Sequence, residues 1–129
     1  FHSTDTSVFN AAGIQTSRHL SEWEGRTVER WNFDEADNIT RHEVEQLEKD
    51  AKGRTVVSTT DVYGAGRARI GARDRQMSYD GPRGALSLEI TTWYDGDEQA
   101  LQRETVHHVH ERGTVTRRVR WERWVESPQ

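Results

Sequence analysis

Cysteine is absent from the 129 residues. The chain therefore has no disulfide framework, no thiolate nucleophile and no zinc–thiolate site. Proline occurs twice and methionine once. No apolar run approaches the roughly 18 residues of a membrane-spanning helix, so membrane insertion is not expected. Lysine is confined to Lys49 and Lys52, which leaves the basic charge almost wholly to arginine. Arginine brings a planar fork that pairs carboxylates and stacks on rings. The net charge of -4 argues against a nucleic-acid binder, since such proteins are usually basic overall. The sequence holds no serine nucleophile elbow, no phosphate-binding glycine loop and no paired-histidine metalloprotease motif. No cofactor is called for, and Gly64-Ala65-Gly66 reads as a hairpin turn. The compartment stays open, with the cytoplasm slightly favoured.

What is present is polar but aromatic. Hydrophobic residues make up 32% and charged residues 31%, yet there are five Trp, three Tyr and three Phe. Disordered chains are poor in aromatics, so a folded domain is expected. The length suits one domain with one core, spanning residues 1–129.

From Arg26 onward the pattern has period two. Candidate strands run over Arg26–Phe33, Ile39–Glu48, Arg54–Tyr63, Arg67–Ala72, Arg75–Tyr79, Ala85–Tyr94, Gln102–Glu111 and Thr114–Val125. Short polar turns separate them, and parallel pairing would need crossovers of a dozen residues or more. Residues 1–24 read as a short helical or irregular segment before a meander over 25–126. Helix competes with strand only around Glu43–Ala51 and Asp97–Arg103. The expected fold is all-β: a single antiparallel up-and-down β-barrel of about eight strands, with an open, strongly twisted sheet packed on the N-terminal segment as the alternative.

Within this frame the last strand places Val115, Arg117, Val119, Trp121, Arg123 and Val125 on one, inward, face. The same logic turns Glu29, Trp31 and Phe33 inward. An inward Arg requires a carboxylate partner, a ligand anion or water. Glu29 is the internal partner, and a ligand acid held among Trp side chains is the other reading. His108 and His110 share a face, and His42 could add a third metal ligand if register allowed. Without that third ligand they are ordinary polar-face histidines, and no metal site is assigned. Trp93 and Trp124, if both outside, would mark a homodimer interface through barrel walls.

Leu20-Ser21-Glu22-Trp23-Glu24-Gly25 resembles the Trp-and-Gly opening of lipocalin-like (calycin) barrels. Gly84-Ala85-Leu86-Ser87-Leu88-Glu89-Ile90-Thr91-Thr92-Trp93-Tyr94, followed by Arg103, is similar to late strands of cyanobacterial phycobilin-lyase-like proteins. That resemblance implies a small-ligand barrel, with Arg103 and Arg117 holding propionates. Phe33-Asp34-Glu35-Ala36-Asp37-Asn38-Ile39-Thr40 and Leu47-Glu48-Lys49-Asp50-Ala51-Lys52-Gly53-Arg54 resemble the tyrosine-aspartate repeats of large bacterial shell proteins. Their spacing does not persist, and hairpin turns alone produce such strings.

Three functions follow from the sequence. The first is binding of a small, largely apolar ligand with an acidic group inside the barrel. Trp31, Phe33, Tyr94, Arg103, Arg117, Trp121 and Arg123 would be its ligand-binding residues. The second is a cofactor-independent barrel cyclase, isomerase or lyase, with Glu29 as acid or base and Arg117 stabilising negative charge. The third is a protein–protein interaction module without a cavity.

Overall fold

Alternating side chains and intervening turns build a single sheet from the described residues. The computed structural model describes residues 2–124. The strands are β1 (His2–Phe9), β2 (Gln15–Glu24), β3 (Thr27–Phe33), β4 (Ile39–Lys49) and β5 (Thr55–Gly64). They continue as β6 (Arg69–Ser78), β7 (Leu88–Asp95), β8 (Ala100–Glu111) and β9 (Thr114–Arg123). A three-residue 3-10 turn at Pro82–Gly84 is the one helical element among the described residues. All nine strands lie in sequence order in a single antiparallel sheet.

The sheet does not close. Among the described residues β1 pairs only with β2 and β9 only with β8, so the two ends of the order are edges. Substantial contacts run only between strands adjacent in sequence. This overturns the up-and-down barrel. The short N-terminal helical or irregular segment is overturned as well, because His2–Phe9 and Gln15–Glu24 are β1 and β2. The two short strands expected around Arg67–Tyr79 are one strand, β6. Glu43 to Lys49 stays extended in β4, where cross-strand partners outweigh local helix propensity. Val125, the expected end of the last strand, lies outside the described residues.

A single layer has no second layer to bury against. The accessible surface is 9131 Å². A compact chain of 14.9 kDa would expose about 7,000 Å². The buried hydrophobic side chains are correspondingly few: Val28, Val62, Ala72 and Val106.

Register fixes the two faces. One row crosses the whole sheet as His2, Trp23, Val28, Glu45, Thr60, Arg73, Trp93, Gln102 and Arg123. By alternation, Ser21, Ser58, Val62, Thr91 and Val106 share its face. With Val28 and Thr60 they include most of the buried side chains, so this is the sheltered face. The open face carries Asp5, Leu20, Trp31, His42, Tyr63 and Arg69 in one row.

Most of the longer turns repeat a single device. At Asn10, Asp34, Asp50, Gly64 and Asp95 the first residue's N–H donates to the carbonyl four residues on, at 2.9 Å in each case. The N–H three residues on donates back to the first residue's carbonyl, at 3.0–3.2 Å. In the four Asn or Asp cases the side-chain Oδ1 also accepts the N–H groups two and four residues on. This is the Asx-turn chemistry that makes Asn and Asp favoured turn residues. The Asp34 and Asp50 carboxyls sit below the usual carboxylate range, chiefly because backbone N–H groups bond the ionised form. The fourth residue of the turn is left-handed: Gly13, Asp37, Gly53, Arg67 and Glu98 all have positive φ.

Arg67 is the least suited of these to φ of 61°. The left-handed region costs an L-residue with a Cβ roughly 1–2 kcal/mol. Its side chain makes no hydrogen bond or ion pair among the described residues. Arg67→Gly should therefore stabilise the fold by about 0.5–1 kcal/mol, after the unfolded-state entropy of Gly is subtracted. Thermal or urea unfolding of the two proteins checks it, and an unchanged or lowered midpoint contradicts it.

Candidate functional site

The residues nominated from the sequence are split between the two faces. Glu29, Trp31 and Phe33 alternate on β3 opposite to Val28, so they lie on the open face. Tyr94 and Arg103 also lie there, through the rows Glu29–Val44–Asp61–Ala72–Tyr94 and Thr92–Arg103. Arg117, Trp121 and Arg123 lie on the sheltered face. Glu29 and Arg117 are thus on opposite sides of the sheet and six strands apart. They cannot form one catalytic pair, and the described residues enclose no barrel interior for ligand binding or catalysis. Arg117 is exposed on the edge strand.

Glu29 instead meets His42, with Oε2 3.1 Å from Nε2. The His42 ring stacks on Trp31, with centroids 4.9 Å apart and planes 7° apart. Its other side approaches Tyr63 at 5.8 Å. Cross-strand partners on one face stand close enough for such aromatic pairing. Ile39, Val44, Gly64 and Arg67 complete an open cleft of about 400 Å³ around these rings. The cleft offers flat apolar contact and one guanidinium, but no oriented nucleophile.

Tyr94 and Arg103 are brought together in a smaller pocket of about 140 Å³ with Asp74, Gln76, Ile90 and Thr92. Burial, and after it the Asp74 carboxylate, push the Tyr94 phenol above its ordinary value. The Arg103 Nε donates to the Thr92 hydroxyl at 3.1 Å. Its guanidinium covers the Trp124 ring at 5.3 Å. Both polar ends are therefore engaged within the chain.

The sheltered face carries charge. Arg30 Nη2 donates to Glu45 Oε1 at 2.6 Å. The Ser58 hydroxyl donates to Glu45 Oε2. Burial pushes the Glu45 carboxyl up, but Ser58, Arg30 and the more distant Arg73 together hold it below the usual range. Farther along, Glu89 accepts from Arg75 at 2.5 Å and lies 3.5 Å from His108 Nε2. These are ion pairs of the sheet itself.

The histidines do not converge. His108 and His110 alternate with Val106 on the sheltered face, whereas His42 lies on the open face of β4. No group of three metal-ligating side chains is present among the described residues. Trp93 shares a face with Trp121, not with Trp124, and stacks on it at 5.7 Å across β8. Trp93 and Trp124 therefore lie on opposite faces and cannot form one patch. The homodimer expected through barrel walls loses its walls with the barrel.

Sequence reasoning missed two features. One is the Trp31–His42–Tyr63 ladder, which depends on register across two turns. The other is the β9 edge. Its signal was visible as Arg117, Arg118, Arg120 and Arg123 against a single acid, Glu122, in one strand.

Comparison with known protein families, curated proteins and solved structures finds no match for this chain. The resemblance to lipocalin-like barrels and phycobilin-lyase-like proteins fails on topology, since the strands that would have to meet, β1 and β9, are both unpaired on their outer sides. No helix among the described residues is long and apolar enough to cross a membrane.

Proposed function

We propose that the chain is a structural section of an extended β-sheet wall, continued by further strands at its edges. The observation that carries this reading is the open single-layer sheet. Among the described residues its strands make substantial contacts only with their neighbours, and both edges are free. Such an array is quasi-one-dimensional: each added unit contributes its own interface, and the ends require a cap or a continuation. Natural edge strands that stay unpaired are usually short or blunted by bulges, prolines or charged side chains, and of these devices β9 carries only charge, nearly all of one sign. β9 is a ten-residue strand without proline. The recurring Asx-type turn supports the same reading, because one local device is reused to add hairpins at irregular spacing. The two strings that resemble the tyrosine-aspartate repeats of bacterial shell proteins are members of that series, at Asp34 and Asp50.

The test is to extend the wall. A designed two-strand hairpin is appended after Gln129, with a linker long enough to reach the β9 edge. Addition of matched strands should raise the thermal midpoint of the whole chain. The control carries prolines at the positions that must donate to β9 and should not raise it. An appended hairpin that stays unpaired, with the midpoint unchanged, overturns the reading.

A further inference from the structure

The geometry points to the β9 edge as the docking site for an acidic, extended segment of a separate polypeptide, added antiparallel as a tenth strand. The inference rests on the wall reading and names the chemistry of one neighbour.

Three observations select this edge and this partner. The first is the backbone. Trp124 N–H donates to the Leu101 carbonyl at 2.9 Å, towards β8. Antiparallel alternation then turns the N–H and C=O groups of Val115, Arg117, Val119, Trp121 and Arg123 away from β8. These groups form a ready ladder for strand addition, in which the main chain gives affinity and alternate side chains give specificity.

The second is charge. Thr114–Arg123 holds four arginines and one glutamate. None of these arginines is within ion-pair distance of a carboxylate among the described residues. Arg118 and Arg120 project on the open face, and Arg117 and Arg123 on the sheltered face. An incoming strand with acids opposite them would meet opposite charge on both sides, which favours pairing.

The third is apolar exposure. Val115 is 54% exposed, Val119 46% and Trp121 49%, all on the sheltered face of the same strand. Trp121 is already fixed by its stack on Trp93. A rigid aromatic beside unpaired arginines is a composition enriched at binding surfaces.

A second copy of this chain does not fit. β9 against β9 would set arginines against arginines. β1 offers one acid, Asp5, which is already held by Arg18 at 2.8 Å. The partner is therefore a different sequence.

The experiment uses the full chain and three ten-residue synthetic peptides that alternate Val with Glu, with Gln or with Lys. Amide chemical shifts and exchange rates in NMR locate the binding, and titration gives the affinities. The Glu peptide should protect the amides of Val115, Arg117, Val119, Trp121 and Arg123. It should bind at least about tenfold more tightly than the Gln peptide, with the Lys peptide weakest and the preference fading at high salt. R118E/R120E should invert the order of Glu and Lys. Val119→Pro removes an outward N–H and no internal bond, so it should abolish binding while the β8–β9 hairpin persists. If that variant does not fold, the charge-reversed variant alone decides. Equal affinity for the Glu and Gln peptides overturns the acidic partner and leaves the wall reading standing. Protection elsewhere, or no binding by any peptide to a chain that the appended hairpin does stabilise, overturns the docking site itself.

Discussion

Glu45→Ala should cost about 2–3 kcal/mol of folding stability, at or just below the range for breaking a buried ion pair. The Glu45 side chain is 16% exposed and that of Arg30 is 28% exposed. Removing the carboxylate leaves the Arg30 guanidinium sheltered without its acceptor. Arg30 Nη1 is already buried without a partner, so no alternative acceptor stands ready. Ser58 loses its acceptor as well. Replacing the group as a unit is different, because the cost of desolvating both charges disappears together with their attraction. Arg30→Met/Glu45→Leu/Ser58→Ala should come within about 1 kcal/mol of the parent. The pH dependence has a definite sign. The folded Glu45 carboxyl titrates below its ordinary, unfolded value. Its stabilisation is present above that value and is lost as pH falls through the lower folded one. The gap between parent and Glu45→Ala should therefore narrow in acid. Urea unfolding at neutral and acid pH measures it, and a gap independent of pH contradicts the assignment.

Val106 should be the most sensitive apolar position. It is 0% exposed, on β8, between Glu89 of β7 and Val119 of β9. Val106→Ala removes two methyl groups at about 0.8 kcal/mol each, with a further contribution from the space left behind, for about 2 kcal/mol in all. Val106→Asp should prevent folding, since it buries an unpaired carboxylate between Glu89 and the exposed edge. Val119→Ala, on the neighbouring strand, should cost well under half of the Val106→Ala value, because Val119 is 46% exposed. The comparison depends on β9 being an edge. In a closed barrel both valines would be covered, and both would be costly.

The individual strands were legible because they need only local information. Leu88 and Ile90 alternate with Glu89 and Thr91, and Gly or Asp marks the turns. β1 was not legible, because His2–Ser7 is polar on both faces and the strand is exposed throughout. Its extended form comes from pairing with β2 and from the Asn10 turn, not from a buried face. Relating faces across the sheet was equally out of reach. Alternation places Trp31 with Glu29 and Trp121 with Arg117, but it does not say whether the two sets share a side. That depends on the length of each turn and on the register shifts at positions such as Asn32/Phe33 and Trp93/Tyr94. Closure is further removed from local sequence, since it requires β1 and β9 to meet with a consistent tilt and stagger. The nominated residues therefore included two that do share a pocket, Tyr94 and Arg103, alongside a pair that the sheet separates, Glu29 and Arg117.

Amide exchange along β9 in the isolated chain tests the open edge most directly. The account predicts alternation: slow exchange at Thr116, Arg118, Arg120 and Glu122, whose N–H groups face β8, and fast exchange at Val115, Arg117, Val119, Trp121 and Arg123. Uniform protection along the strand would mean that β9 is paired on both sides in solution, and the sheet with free edges would be wrong.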